Sequence, residues 1–495
     1  MNPTTTRLGA IQGIDSRGVQ AFRGIPYAAP PVGERSFRPP KPAPAWSGVF
    51  DGTSWGPRAP QSDSPLNAGA PGSLGEDCLV LNIYTPEAGA GTGGAGTRPV
   101  LFWIHGGAFV MGSGNEYDGS VLAAQGDAVV VTVNYRLGLL GFLDLSKYGD
   151  AYAGSASNGF RDQICALEWV RDNIADYGGD PGNVTIFGES AGGASVNAVI
   201  SAPSADGLYH RAIAHSGGTP STPPADLSGP LAAALKVEDS ELLSALSAMS
   251  TSEILELQTR TGISGSGSSV DGLVVTRATH EAILEKGTEG VPYIAGSNRD
   301  EGTLFTSMVS GDDADYAGVL ATVGMNLARS TMLGADPENY VVALRAANPD
   351  LDDRGVYERI WVDMFRRASI DNAVAASAAG PGGWLYRFDL PSTAMGGSLG
   401  ATHAAEIAFT FNAFELPTTA LTFHDGSDSV VRDLARKWSD TVLAFARSGA
   451  PNGAGLPDWP RYSAEDRRSI VLDAESRIAD GSLDVDARAL WGEAE

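Results

Sequence analysis

The segment Val184-Thr185-Ile186-Phe187-Gly188-Glu189-Ser190-Ala191-Gly192 constrains this chain more than any other. A short apolar strand runs into a serine bracketed by glycines, and the small residues Gly193-Ala194-Ser195-Val196 then open a helix. Strand, sharp turn and helix in that order strain the backbone at the serine, and a Cβ at either glycine would strike the element packed alongside. The expected result is a Ser190 hydroxyl exposed above a sheet. G-x-S-x-G also occurs as an ordinary glycine-bracketed turn, so the rest of the chain has to decide between the two readings.

Three further apolar runs, Pro99 to Ile104, Ala128 to Val133 and Pro292 to Ala295, show no polar alternation. Strands of that kind belong to a sheet covered on both faces. Between the second of these runs and Val184, the residues Ile164, Leu167, Trp169, Val170 and Ile174 fall at helical spacing within Arg161 to Tyr177, which Gly178-Gly179 closes. Alternating strands and helices predict the α/β class with a central, mostly parallel sheet. Trp384 to Phe388 and Ile470 to Leu472 read as later strands, and Ser429 to Arg447 as an amphipathic helix. Segments about 225–290 and 310–380 are helical in pattern and are expected to leave the sheet and cover the site. With no internal repeat and no long linker, residues 1–495 are expected to form a single domain.

A formal net charge of -25 repels phosphate backbones and anionic lipid, so neither nucleic acid nor membrane is an expected partner. No apolar run is long enough to span a bilayer, and Met1 to Arg7 is followed by no apolar secretion segment, which together point to the cytoplasm. The two cysteines, Cys78 and Cys165, suit neither a disulfide framework nor a metal cluster. Asn183-Val184-Thr185 matches a glycosylation sequon but runs straight into a strand, so chance explains it better. Gly89 to Gly94 satisfies G-x-G-x-x-G, yet a strand follows it where a dinucleotide site needs a helix; it reads as a surface loop. His280-Glu281-Ala282-Ile283-Leu284 lacks the second histidine of a zinc helix. No cofactor and no metal are expected.

A serine hydroxyl is a poor nucleophile at neutral pH and needs a base, which an acid must orient. Among six histidines, His105 opens His105-Gly106-Gly107-Ala108-Phe109, a loop whose amides suit half of an oxyanion hole. Gly107 and Ala108 would donate there together with Ala191, leaving His105 to shape the loop. In a fold of this kind the partners follow in the order serine, acid, histidine. His210 and His215 come too soon after Ser190, and His280 precedes the best acid, which leaves His403 and His424. The acid lies in Gly296-Ser297-Asn298-Arg299-Asp300-Glu301-Gly302, after a strand end; Asp300 and Glu301 are equal on chemistry alone.

Taken together, the motifs resemble the type-B carboxylesterase family, which includes bacterial para-nitrobenzyl esterases, mammalian liver carboxylesterases and the cholinesterases. The similarity runs through Phe22 to Ala28, Glu76 to Asn82, Trp103 to Phe109, Asn134 to Gly138, Gly178 to Gly192, His210 to Ile213, Asp300 to Gly302 and His403 to Phe409. It implies an α/β-hydrolase fold with Ser190 as nucleophile, Glu301 as acid and His403 as general base. It also implies oxyanion donors at Gly107, Ala108 and Ala191, a buried ion pair of Arg136 with Asp162, and Ser216 and Glu406 behind His403.

In three places the chain departs from the family. Ala59 stands about where the family's disulfide partner for Cys78 is expected, in agreement with a reducing compartment. Ser36 replaces an arginine that would pair with Glu76, so Glu76 is expected to find Arg35, Arg38 or water. No tryptophan lies between Trp55 and Glu76, so the platform on which cholinesterases hold a quaternary ammonium is missing. The resemblance implies a carboxylic-ester hydrolase for a small-molecule ester, with monomer and dimer both compatible. The same machinery specialised for a carbamate, amide or lactone is the alternative, and a non-catalytic interaction protein the more distant one.

Overall fold

In the computed structural model, which describes residues 3–86, 97–309, 315–324, 337–415, 423–453, 455–479, 483 and 490–491, the apolar runs all become strands. In chain order these are β1 (Thr4–Thr6), β2 (Gly9–Gln12), β3 (Ile14–Ser16), β4 (Val19–Pro26), β5 (Val49–Asp51), β6 (Val80–Thr85) and β7 (Arg98–Ile104). They continue with β8 (Val129–Val133), β9 (Gly179–Glu189), β10 (Arg211–His215), β11 (Tyr293–Asn298), β12 (Gly383–Phe388), β13 (Ser469–Leu472) and β14 (Arg477–Ala479). β1, β2 and β5 form a small separate sheet. The other strands build one of eleven, ordered β3-β4-β6-β8-β7-β9-β10-β11-β12-β13-β14. From β8 to β13 every pairing is parallel, while β3, β4 and β6 at one edge and β14 at the other join antiparallel. This is the α/β-hydrolase arrangement expected from the sequence.

Side-chain alternation along β7 explains why it is apolar from Pro99 to Ile104. Val100, Phe102 and Ile104 enter one core layer, and Leu101 and Trp103 enter the other. Helices Asn158–Asn173 and Ala191–Ile200 close the first layer with residues such as Ile164, Leu167, Val196 and Val199. Helix Ser429–Ser448 closes the second with Leu434, Trp438, Val442 and Phe445. Its start is fixed by Asp428, whose carboxylate accepts from the amides of Val430 and Val431.

The chain order places the site. β8 lies on one side of β7 and β9 on the other, so successive connections diverge there and leave a crevice beyond the strands' carboxyl ends. Ile104 pairs with Gly188, which sets the His105 loop beside Ser190. Of the two helical excursions, Ser228–Leu235, Leu242–Ala248 and Thr251–Thr261 pack a core of their own against Leu139, Leu143 and Leu145. In the second, helix Asp353–Ala379 lies against β11 and β12 and sends Trp361 to the site. The Gly89 to Gly94 loop lies outside the described residues.

Neither of the arginines expected for Glu76 pairs with it among the described residues. Its half-buried carboxylate accepts from the Thr251 hydroxyl, while Arg35 donates to the Pro30 carbonyl. A threonine from a distant excursion is invisible to local sequence reasoning. Cys78 and Cys165 are buried and free, and burial pushes the Cys165 thiol up to about 12. Among the described residues, no helix is long and apolar enough to cross a membrane.

Candidate active site

Ser190 sits at the junction of β9 and helix Ala191–Ile200 with φ 59° and ψ −122°, a conformation few non-glycine residues tolerate. The strain is held from both sides: the Ser190 amide donates to the His215 carbonyl at 2.9 Å, and the Ala194 amide donates to the Ser190 carbonyl at 2.8 Å. The bracketing glycines are forced by space. A Cβ on Gly188 would lie 2.5 Å from the Gly192 carbonyl oxygen, and one on Gly192 would lie 2.0 Å from that of Ile104.

Beside Ser190, the loop after β7 keeps Gly107, Ala108 and Phe109 at positive φ (106°, 53° and 61°). The amides of Val110 and Met111 both donate to the Gly107 carbonyl at 3.0 Å, which turns the loop back on itself. A side chain at Gly107 would meet the Met111 carbonyl oxygen at 2.3 Å. The amides of Gly107, Ala108 and Ala191 take no acceptor among the described residues. His105 stacks on Tyr135 with centroids 4.4 Å apart, and its Nδ1 donates to the Gly106 carbonyl at 2.8 Å. Burial lowers its pKa to about 4, so it stays neutral and supports the loop.

The two carboxylates in the loop after β11 go separate ways. Asp300 accepts from the Ala401 amide at 2.8 Å and pairs with Arg299 at 2.9 Å, tying the loop to the segment before His403. Glu301 points inward and is fully buried. It accepts from His403 Nδ1 at 2.5 Å, from the Ser216 hydroxyl at 2.5 Å and from the Asn298 amide at 2.6 Å. Three donors on one carboxylate fix its position and, through it, the imidazole ring. Phe365 stacks on that ring at 4.8 Å. His424 is buried between Phe388 and Phe409 and does not line the cavity.

His403 Nε2 and Ser190 line one cavity, yet Nε2 makes no hydrogen bond. Its nearest charged neighbour is Glu189 Oε1 at 3.1 Å, a contact that lacks hydrogen-bond geometry. Glu406 accepts from Asn298 Nδ2 at 2.6 Å and lies behind the histidine. Burial pushes Glu189 up to about 8 and Glu406 up to about 7. Burial opposes the charge on His403, but Glu189, Glu301 and Glu406 outweigh it and hold the imidazole up to about 9. A proton on Glu189 removes one of those three fields and lowers the pKa of His403. The proximity of Glu189 was missed from sequence, although Glu189 directly precedes the serine.

Arg136 and Asp162, both buried, form a bidentate pair at 2.8 and 2.7 Å, and Arg136 also donates to the Arg38 carbonyl at 2.7 Å. The cavity has a volume of about 290 Å³ and is walled by Leu66, Met111, Tyr117, Leu304, Phe305 and Trp361. It is largely apolar and lies at the small end of the range for ligand pockets. Among the described residues, no group of His, Cys, Asp or Glu is arranged to hold a metal ion.

The model of the carboxylesterase family matches residues 2–489. The para-nitrobenzyl esterase of Bacillus subtilis (strain 168) is 34% identical over 96% of this chain and 95% of its own length. A medium-chain fatty acyl-CoA hydrolase precursor of Anas platyrhynchos is 33% identical over 96% of this chain and 89% of its own. Among solved structures, the carboxylesterase EST55 of Geobacillus stearothermophilus superposes with a TM-score of 0.85 at 35% identity, covering 99% of this chain and 100% of that one.

Proposed function

Because this chain belongs to the carboxylesterase family and is a serine carboxylic-ester hydrolase, we propose that it cleaves short-chain or aryl esters through an acyl-enzyme on Ser190, with His403 as general base and Glu301 as the orienting acid. The observation that carries the assignment is the 2.5 Å contact of Glu301 with His403 Nδ1 in the cavity where the strained Ser190 stands. Nδ1 carries a proton toward Glu301, so Nε2 is the nitrogen left to act as the base for the serine. Nε2 takes the Ser190 proton as Oγ attacks the ester carbonyl. The oxyanion forms against the amides of Gly107, Ala108 and Ala191, each worth roughly 3–4 kcal/mol to the transition state. The alcohol leaves with the proton from His403, and water, activated by the same nitrogen, then releases the acid.

A cavity of about 290 Å³ supports small acyl and alcohol groups over long chains. Hydrolysis of para-nitrophenyl acetate, butyrate, octanoate and laurate tests this; activity should peak at the short chains. A laurate optimum would contradict the size argument. The reading also assigns the enzyme to a reducing, cytoplasmic setting, supported by two buried cysteines that form no disulfide. Cell fractionation that recovers it outside the cytoplasm would contradict this.

A further inference from the structure

The cavity that holds Ser190 also holds a carboxyl group that ester cleavage itself does not use. Glu116 ends the short turn Gly114–Glu116 that follows the oxyanion loop, is only 4% exposed and lines the cavity. Its Oε1 is enclosed without a partner, and no described residue donates a hydrogen bond to its carboxylate. Among the described residues, no lysine or arginine lines the cavity. Arg58 acts on Glu116 only at longer range, its own Nε donating to the Gly72 carbonyl at 3.0 Å. Burial pushes the Glu116 carboxyl up to about 7 against the pull of Arg58. The neighbouring Tyr117 phenol is pushed up by burial first, and then by both Glu116 and Glu189, so the two carboxyl groups border the same stretch of wall. A buried carboxyl with no donor is costly to maintain unless a cation or donor arrives with the ligand.

We propose that Glu116 selects esters bearing a protonated amine in their acyl or alcohol half, accepting the ammonium N–H while the ester carbonyl lies against Ser190. The inference rests on the ester-hydrolase reading above. An ammonium that keeps an N–H supplies both the charge and the donor that Glu116 lacks. A quaternary ammonium supplies only the charge, and one face of the cavity's Trp361 is already occupied by Phe305, stacked at 3.6 Å. The acidic surface of the whole chain attracts such cations as well.

The test compares isosteric pairs: dimethylaminopropyl butyrate beside methylpentyl butyrate, and methyl dimethylaminobutanoate beside methyl methylhexanoate. In the wild type, kcat/KM should favour the amine in at least one pair by about tenfold. In Glu116→Gln that ratio should fall to near one, whatever the absolute rates, whereas Glu116→Asp should retain part of it. The ratio within each protein is insensitive to a general loss of folding. No preference in either pair, or a preference that Glu116→Gln leaves intact, overturns the proposal. Hydrolysis of the neutral esters reports separately on the ester-hydrolase reading. Calorimetry with triethylammonium ion needs no turnover: binding to wild type that Glu116→Gln abolishes is expected, and absent or equal binding overturns it.

Discussion

Replacing Glu189 by glutamine keeps the volume and removes one charge 3.1 Å from His403 Nε2. At an effective dielectric of 20, a full charge at that distance is worth about 5 kcal/mol. That is a ceiling, because burial raises Glu189 itself to about 8 and keeps it protonated for much of the neutral range. A fall of roughly one to two pKa units for His403, about 1.4–2.7 kcal/mol, is the expected remainder. The sign follows from the mechanism. His403 must be neutral to accept the serine proton, and Glu189 is one of the carboxylates that hold its pKa up to about 9. Removing that carboxylate lowers the pKa wherever Glu189 is ionised, so the upper part of the acid limb of kcat/KM, above about pH 8, moves to lower pH in the variant, while in mild acid, where Glu189 is already protonated, the two profiles should coincide. The assay is the pH profile of para-nitrophenyl butyrate hydrolysis for both proteins. An upper part of that limb that stays in place or moves upward would refute the electrostatic argument.

Other substitutions probe the frame and the acid. Asp162→Ala leaves the buried Arg136 guanidinium unpaired and should lower stability by about 3–5 kcal/mol in urea unfolding. Gly192→Ala drives a Cβ against the Ile104 carbonyl oxygen at 2.0 Å and should cost about 1–3 kcal/mol or more, whereas Gly218→Ala, with no atom within 4 Å, should be nearly neutral. Glu301→Gln keeps the shape but presents an amide to His403 Nδ1; kcat should fall roughly 10⁴-fold with the melting temperature little changed.

Most of the strands that frame the site were legible because each contains a continuous apolar run, the pattern of a sheet covered on both faces; β10, with only Ala212 to Ala214 apolar, was not. Ser190 was legible from purely local chemistry, since two glycines and a strand-to-helix change fall within nine residues of sequence. The choice between Asp300 and Glu301 was not, as both are carboxylates on one loop. They differ only in which way the turn points them, and that depends on Ala401, far along the chain. His403 and His424 were equivalent for the same reason, and only the family resemblance separated them. Glu116 and Glu189 carry no local mark of burial. Their environments are assembled by loops distant in sequence, so their perturbed ionisation appears only with the fold.

The most direct test of the account is active-site labelling. An aryl organophosphate should place one phosphoryl group per chain on the peptide containing Ser190, located by mass spectrometry, in step with the loss of para-nitrophenyl butyrate hydrolysis. Ser190→Ala should take no label and show no turnover. Labelling at another residue, or hydrolysis that survives in Ser190→Ala, would contradict the assignment of the nucleophile and the mechanism built on it.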